Sequence, residues 1–373
     1  MSEPLLVTGA APRDLLLRDG RIAAVGGTAG ADDARRMDGR GLRAVPGFIE
    51  LQVNGAMGCD LTADPSSLWE VGAALAAYGV TSFLPTIVTS PPSTAEAALA
   101  VLAEGPPAAY RGARPLGLHL EGPFISPRRH GAHDSALLRA PEATRWSREA
   151  GVTMVTLAPE LPGGLDLVRA LTEAGVIVSA GHTNASAAEA RAGVDAGIRY
   201  ATHLWNAMPP LGHREPGAVG ALLTDDRVTL GLIADGHHLA PETMRLTWRA
   251  AGPGRISLVS DAMAGLGLPP GHHVLAGVTA LVSDGTARTE EGILAGSIIG
   301  LDAAVRMFVA AVGCSPDDAI DAVTAVPARL LGLPRPSLDV GAPADLVLLD
   351  EGLGVAATII GGGVAYLAEE GRL

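Results

Sequence analysis

The stretch Val176-Ile177-Val178-Ser179-Ala180-Gly181-His182-Thr183-Asn184, the alanine-rich run 185–196 and the closing Arg199-Tyr200-Ala201-Thr202-His203 read as strand, helix, strand. β-Branched residues suit the two short runs and alanine suits the intervening helix. Both apolar runs finish on a histidine. Two strands joined by a crossover helix run parallel, so the two imidazoles arrive at the same end of the sheet. Working outward, the same alternation recurs from about residue 45 to residue 333. Further strands are expected at Ala44–Phe48 into Gln52, Thr81–Val88, Leu116–Leu120, Thr153–Leu157, Val228–Ile233 and Ile256–Ser260. Leu68–Tyr78, Thr94–Ala103 and Pro241–Ala251 carry helix formers. Eight strands in this rhythm predict an α/β fold of the (β/α)8 TIM-barrel type. An open doubly wound sheet is the alternative, but no Gly-x-Gly-x-x-Gly follows the first strand. Val278–Val282, Ser283-Asp284-Gly285 and Thr286–Thr289 read as a hairpin inserted after the eighth strand.

The two ends of the chain have a different character. Leu15–Arg18 and Arg21–Val25 flank Asp19-Gly20, a tight-hairpin dipeptide. Near the other end, Asp345–Asp350, Ala357–Ile360 and Val364–Leu367 surround a turn at Gly361 to Gly363. Neither fragment is large enough to bury a core alone. A small β-sandwich domain built from residues 1–45 and 336–373 is therefore expected, with the barrel at 46–335.

Composition excludes several chemistries. All 27 basic residues are arginine. Without lysine there is no Schiff-base aldolase, no pyridoxal-phosphate enzyme, no Walker-type phosphate loop and no carboxylated lysine between two metals. The 40 acidic residues bring the net charge to −13, which disfavours nucleic acid as a partner. No run approaches the roughly 18 apolar residues of a membrane helix, and no signal-peptide core is visible. Cys59 and Cys314 lie too far apart for a metal or redox pair and are expected to be buried and inert. A cytoplasmic protein is expected.

Chemistry gathers at the strand ends. The third strand ends in His119-Leu120-Glu121, the fifth at His182, the sixth at His203, the seventh in Asp235-Gly236-His237-His238 and the eighth at Asp261. The C-terminal rim of a barrel is where such polar residues face an active-site mouth. Glu121, His182 and His203 form a three-ligand set, one carboxylate and two imidazoles, that leaves a fourth position free as catalytic zinc requires. Iron, manganese or cobalt would also accept these donors. Asp261 suits an aimed general base. His119 shares a strand face with Glu121 and is expected beside the site. His130, His213, His272 and His273 sit in polar loops and are expected to be exposed. The four tryptophans are expected to pack.

In this order, Pro46-Gly47-Phe48-Ile49-Glu50-Leu51-Gln52-Val53-Asn54-Gly55, His119-Leu120-Glu121-Gly122-Pro123, Gly181-His182-Thr183-Asn184-Ala185 and Ala201-Thr202-His203-Leu204-Trp205-Asn206-Ala207-Met208-Pro209 resemble a known family. It is the N-acetylglucosamine-6-phosphate deacetylase family of the amidohydrolase superfamily. Arg214-Glu215-Pro216-Gly217, Ala234–His238 and Gly341–Val347 extend the likeness nearly end to end. The resemblance implies hydrolysis of an acetamide on a small amino-sugar phosphate, with one divalent metal per subunit on Glu121, His182 and His203. It implies that Asp261 is the acid/base and that His133 polarises the acetyl carbonyl. Ala132, Asn206, Ala207, Arg214, Asp235, His238, Leu294, Ala295 and Gly296 would contact the substrate. A homodimer is implied, with Arg214 reaching the partner's site.

Two-metal members of the superfamily carry His-x-His at the end of the first strand, where this chain has Glu50-Leu51-Gln52. Glu50 and Gln52 are therefore expected to line a vacated second-metal site. A deacetylase of the galacto epimer, or an amidohydrolase of cyclic amides, is the competing enzyme. A barrel that has lost catalysis is a third reading, and the intact set Glu121, His182, His203 and Asp261 speaks against it.

Overall fold

In a computed structural model, which describes residues 3–27 and 30–368, eight parallel strands form the barrel. They are β1 (Phe48–Val53), β2 (Val80–Val88), β3 (Leu118–Glu121), β4 (Val152–Leu157), β5 (Ile177–Ala180), β6 (Ile198–Ala201), β7 (Thr229–Ile233) and β8 (Ile256–Val259). Each pairs in parallel with the next. Strands β1, β4, β7 and β8 are buried along their whole length, because helices cover the outer face and side chains fill the inner one.

The circle closes between β8 and β1 by two different means. At the C-terminal end the backbones meet directly: Asp261 N–H donates to Gln52 O at 2.9 Å and Asn54 N–H to Ala262 O at 2.8 Å. Toward the other end, Ala322 and Val323 wedge into the seam, accepting from Leu258 N–H at 3.0 Å and Ile49 N–H at 2.8 Å. Between them the Glu50 carboxylate bridges the gap. Its oxygens accept from Gln52 N–H at 3.1 Å and Ser260 N–H at 3.0 Å.

Helices α1 (Leu68–Leu75), α2 (Pro92–Glu104), α3 (Gly164–Glu173), α4 (Ala187–Ala196), α5 (Gly217–Thr224), α6 (Pro241–Ala251) and α7 (Leu301–Val312) follow every strand but β3. The connection from β3 to β4, residues 122–151, holds only a short 3-10 turn at Ser135–Leu137. Proline and glycine at 123, 127, 131 and 141 explain the missing helix. Helix α4 starts on a reciprocal cap: Ser186 accepts from Glu189 N–H while the Glu189 carboxylate accepts from Ser186 N–H. That cap fixes the helix a few residues beyond His182.

The expected first strand divides in two. Arg43–Pro46 pairs antiparallel with Leu346–Leu349 in the sandwich, and the barrel strand begins at Phe48. Gly47 lies at the break, packed so closely that a Cβ there would lie 2.2 Å from Thr81 Oγ1. The sandwich has two four-stranded sheets, one entirely from residues 5–38 and one joining Arg43–Pro46 to the three strands after residue 345. Leu5, Val7, Leu15, Leu17 and Met37 meet Leu346, Leu348 and Ile359 in a shared core. Asp19 and Gly20 both adopt positive φ, as the tight hairpin requires. The insertion after β8 has three strands, Gly271–Leu275 having joined Val278–Ser283 and Thr286–Arg288. No helix among the described residues is long and apolar enough to cross a membrane.

Cys59 and Cys314 are free and only partly buried, which corrects the expectation of a buried thiol. Cys59 Sγ donates to Glu70 Oε2 at 3.4 Å. His213 and His272 are exposed as expected, whereas His130 and His273 are half-buried.

Candidate active site

Glu121 ends β3, His182 lies two residues beyond β5 and His203 two beyond β6. The topology therefore brings three side chains from distant parts of the chain to one rim, with one donor atom from each lying within 4.8 Å of the others. Glu121 Oε1 is 3.0 Å from His203 Nε2 and 3.3 Å from His182 Nε2, and the two imidazole nitrogens are 3.1 Å apart. His182 Nδ1–H donates to Arg129 O at 2.9 Å, which leaves the Nε2 lone pair facing the other two donors. All three side chains are buried. Two nitrogen lone pairs and a carboxylate oxygen converging on one point fit a divalent cation such as zinc.

The electrostatics agree with that fit. Burial pushes Glu121 toward its neutral form, yet the hydrogen bonds and charges of His182 and His203 outweigh it and hold the carboxyl well below the usual range. Burial opposes a charge on His203 as well, and Glu121 more than offsets it, raising the imidazole. Each of the two groups thus favours the charged form of the other.

Asp261 follows β8 and faces the same cavity. Its Oδ1 accepts from Asn54 Nδ2 at 2.8 Å and Gln52 Nε2 at 3.1 Å. Burial, with Glu121 next in effect, raises Asp261 to about 6. Gln52 Nε2 also donates to Glu121 Oε1 at 3.1 Å, and its carbonyl accepts from Thr202. Gln52 is thus a fixed amide between the Glu121 and Asp261 carboxylates. Glu50 lies below it in the seam, and burial raises its carboxyl to about 8.

His182, His203 and Asp261 have φ of 48°, 27° and 49°, a region non-glycine residues rarely occupy. Such conformations typically cost about 1–3 kcal/mol each and persist where the surroundings over-determine them. Three of the four residues expected to carry the chemistry are held this way.

A cavity of about 440 Å³ opens over the cluster, lined among others by Ala132, His133, Asn206, Ala207, His238, Leu294 and Gly296. His133 Nδ1 is 2.7 Å from Thr89 Oγ1, and its Nε2 is 3.8 Å from Glu121 Oε2. Burial, and then His182, lowers His133 to about 3, so the ring is neutral. The 122–151 connection reaches the site through Gly122 (φ 86°), where a Cβ would lie 2.2 Å from Thr89 Oγ1.

Three expected contacts are placed elsewhere. Asp235 is not on the cavity wall: its Oδ2 lies 2.7 Å from His238 Nδ1, and its Oδ1 accepts from the N–H groups of residues 237 and 238. Ala295 is fully buried behind Leu294 and Gly296, within the core of the inserted sheet. Arg214 is exposed and outside the cavity of its own chain. His119 lies deeper in the barrel, bonded to Leu51 O at 3.1 Å and Thr156 Oγ1 at 2.8 Å. Burial lowers it to about 4, making it a neutral spacer.

Sequence reasoning missed Asn54, Thr89, Arg128, Arg129 and Arg288. Asn54 was legible in principle, being two residues beyond Gln52 on an alternating strand. Arg128 and Arg129 lie in an irregular segment whose direction no periodicity reports, and Arg288 ends the last strand of the insertion.

A parallel barrel with a carboxylate and two imidazoles at its C-terminal rim defines a metal-dependent hydrolase. The model for the family described as "Amidohydrolase family" matches residues 43–365. N-acetylglucosamine-6-phosphate deacetylase of Homo sapiens is 42% identical over 367 residues, covering 92% of this chain and 87% of that protein. N-acetylgalactosamine-6-phosphate deacetylase of Escherichia coli O157:H7 is 41% identical over 328 residues, covering 86% and 87%. The structure of the Mycobacterium smegmatis N-acetyl-D-glucosamine-6-phosphate deacetylase, solved in complex with N-acetyl-D-glucosamine-6-phosphate, superposes with a TM-score of 0.86 at 35% identity, covering 97% and 99% of the two chains. The chain belongs to the amidohydrolase family and, within it, to the N-acetylglucosamine-6-phosphate deacetylases.

Proposed function

We propose that this enzyme hydrolyses the acetamide of N-acetyl-D-glucosamine 6-phosphate, releasing acetate and the free amine. The observation that carries the reading is the convergence of Glu121, His182 and His203 within 4.8 Å beside Asp261. A divalent ion bound by those three residues supplies acidification of a water molecule and polarisation of the amide carbonyl. Asp261 accepts the proton of the attacking water, held in place by the amides of Asn54 and Gln52. It then delivers that proton to the departing nitrogen as the C–N bond breaks. Neutral His133, braced by Thr89, donates from Nε2 to the carbonyl oxygen as negative charge develops there. Asn206, Ala207, His238, Ala132, Leu294 and Gly296 bind the sugar phosphate, with Asp235 holding the His238 ring. Zinc is the proposed metal, a homodimer the proposed assembly and the cytoplasm the proposed compartment. We take the sandwich as residues 1–45 with 336–373, and the barrel as 46–335.

Acetate release from both acetylated hexosamine 6-phosphates tests the assignment. Faster turnover of the gluco sugar is expected; preference for the galacto sugar, or for a cyclic amide, would reassign the substrate. Asp261 must be ionised to act as base, so kcat/KM falls about tenfold per unit on the acid side of its pKa. A nearby divalent cation stabilises the carboxylate and draws that limb to pH 6 or below. A pH profile of the metal-loaded enzyme that stays flat down to pH 4 would remove Asp261 from this role.

Arg214 is exposed and makes no hydrogen bond or ion pair among the described residues, which leaves its guanidinium available to a partner's substrate. A charge-assisted contact to phosphate contributes roughly 1.5–3 kcal/mol, or about 10- to 150-fold. Arg214→Ala is expected to weaken the phosphorylated sugar by that factor and to leave the unphosphorylated sugar nearly unaffected. Mixed dimers of Arg214→Ala and Asp261→Asn chains should regain activity, because one hybrid site holds both native residues. Verified mixed dimers without recovery would place the contact within one chain.

A further inference from the structure

The inserted three-stranded sheet forms part of the roof of the cavity. Leu275 and Ala276, at the turn between its first two strands, line the cavity, as do Arg288, Ile293 and Leu294 farther on. The base of the insertion is well tied down. Met57 N–H donates to Leu266 O and Gly58 N–H to Ala264 O, both at 2.8 Å, and Ser297 N–H donates to Asp261 O at 2.8 Å. The turn at its tip is held differently. Ala276 N–H donates to Asp60 Oδ2 at 2.6 Å. The other oxygen of Asp60 accepts from Thr62 N–H at 2.9 Å and Ala63 N–H at 2.8 Å. Asp60 is 6% exposed.

The geometry points to Asp60 as a positioning residue that latches the tip of the insertion over the substrate cavity. The loop after β1 that carries it also carries Asn54, so one short segment places both the base Asp261 and the roof above it. The Asp60 side chain is not on the cavity wall; it acts on the lining through Leu275 and Ala276. A buried carboxylate accepting three backbone N–H groups forms stronger hydrogen bonds than a neutral acceptor would. Because the base of the insertion keeps its own bonds, losing the carboxylate frees the tip without unfolding the sheet. Substrate then binds only the fraction of molecules whose tip is in place, and apparent affinity falls by that fraction.

Two measurements on the metal-loaded, full-length enzyme test this, and only the second rests on the deacetylase reading. In Asp60→Ala, amide exchange of residues 272–288 should speed up by about tenfold while exchange in β3 to β6 stays unchanged. KM for the amino-sugar phosphate should rise by roughly tenfold, with kcat within about twofold of wild type. Asp60→Asn, which keeps size and one acceptor oxygen, should shift both quantities in the same direction by less, and it serves if the alanine variant does not fold. Unchanged exchange at 272–288 in a folded variant overturns the latch. A loosened tip with unchanged KM overturns its role in binding. A fall in kcat at constant KM would show loss of active enzyme instead, and also overturns the proposal. Wild-type enzyme that turns over neither sugar phosphate would refute the substrate assignment and leave the exchange result to judge the latch.

Discussion

Asp261→Asn should lower kcat by about a hundred- to ten-thousandfold, the usual worth of a positioned acid–base group. Asparagine matches the shape of aspartate and can still accept from Asn54 Nδ2, which lies 2.8 Å from Asp261 Oδ1. What it lacks is a site for the proton. Metal content and substrate affinity should remain near wild type, since the proposed ligands are Glu121, His182 and His203. The acid limb of the pH profile should disappear together with the activity. A purified, metal-loaded variant with near-normal kcat would require another base, and among the described residues no carboxylate other than Glu121 and Asp261 lines the cavity.

Complete loss of activity on chelation, restored by a single equivalent of metal per chain, is the second large effect. The expectation of one ion and not two rests on the residues at the end of the first barrel strand. Gln52 presents its NH2 group to both Glu121 and Asp261, and N–H donors repel a cation. Its carbonyl is taken by Thr202. Glu50 is tied into the barrel seam, its two oxygens accepting from the N–H groups of Gln52 and Ser260. A second ion would need to break the barrel seam to recruit it. His182→Ala should lose both the tightly held equivalent and turnover. Two tightly bound equivalents, each needed for full rate, would refute the single-metal mechanism and restore Glu50 as a ligand.

The barrel was legible because its signals are local and repeated. Most strands are short apolar runs between helix-forming stretches, and polar residues recur at their C-terminal ends, so the rim residues Glu121, His182, His203 and Asp261 were readable without coordinates. The hairpin at Asp19-Gly20 was legible for the same reason: the turn's demand for positive φ is written in two adjacent residues. The division at Gly47 was not, because the residues before it pair with Leu346–Leu349 and those after it with Val80–Val88, both remote in sequence.

What the sequence by itself determined is the chemistry available: a carboxylate, two imidazoles and a base on one rim, no lysine, and an amide at Gln52 where a second metal would need a histidine. Periodicity carries that much, because it reports which residues share an end or a face. The tertiary structure alone decided how those groups meet. It set the 3.0–3.3 Å spacing of the ligands, the unusual φ of His182, His203 and Asp261, and the removal of Arg214 and Asp235 from the cavity wall. It also placed the tip of the inserted sheet on the Asp60 carboxylate, 216 positions away in sequence. Distances and side-chain directions between remote segments depend on packing across the whole barrel, and no local pattern of residues encodes them.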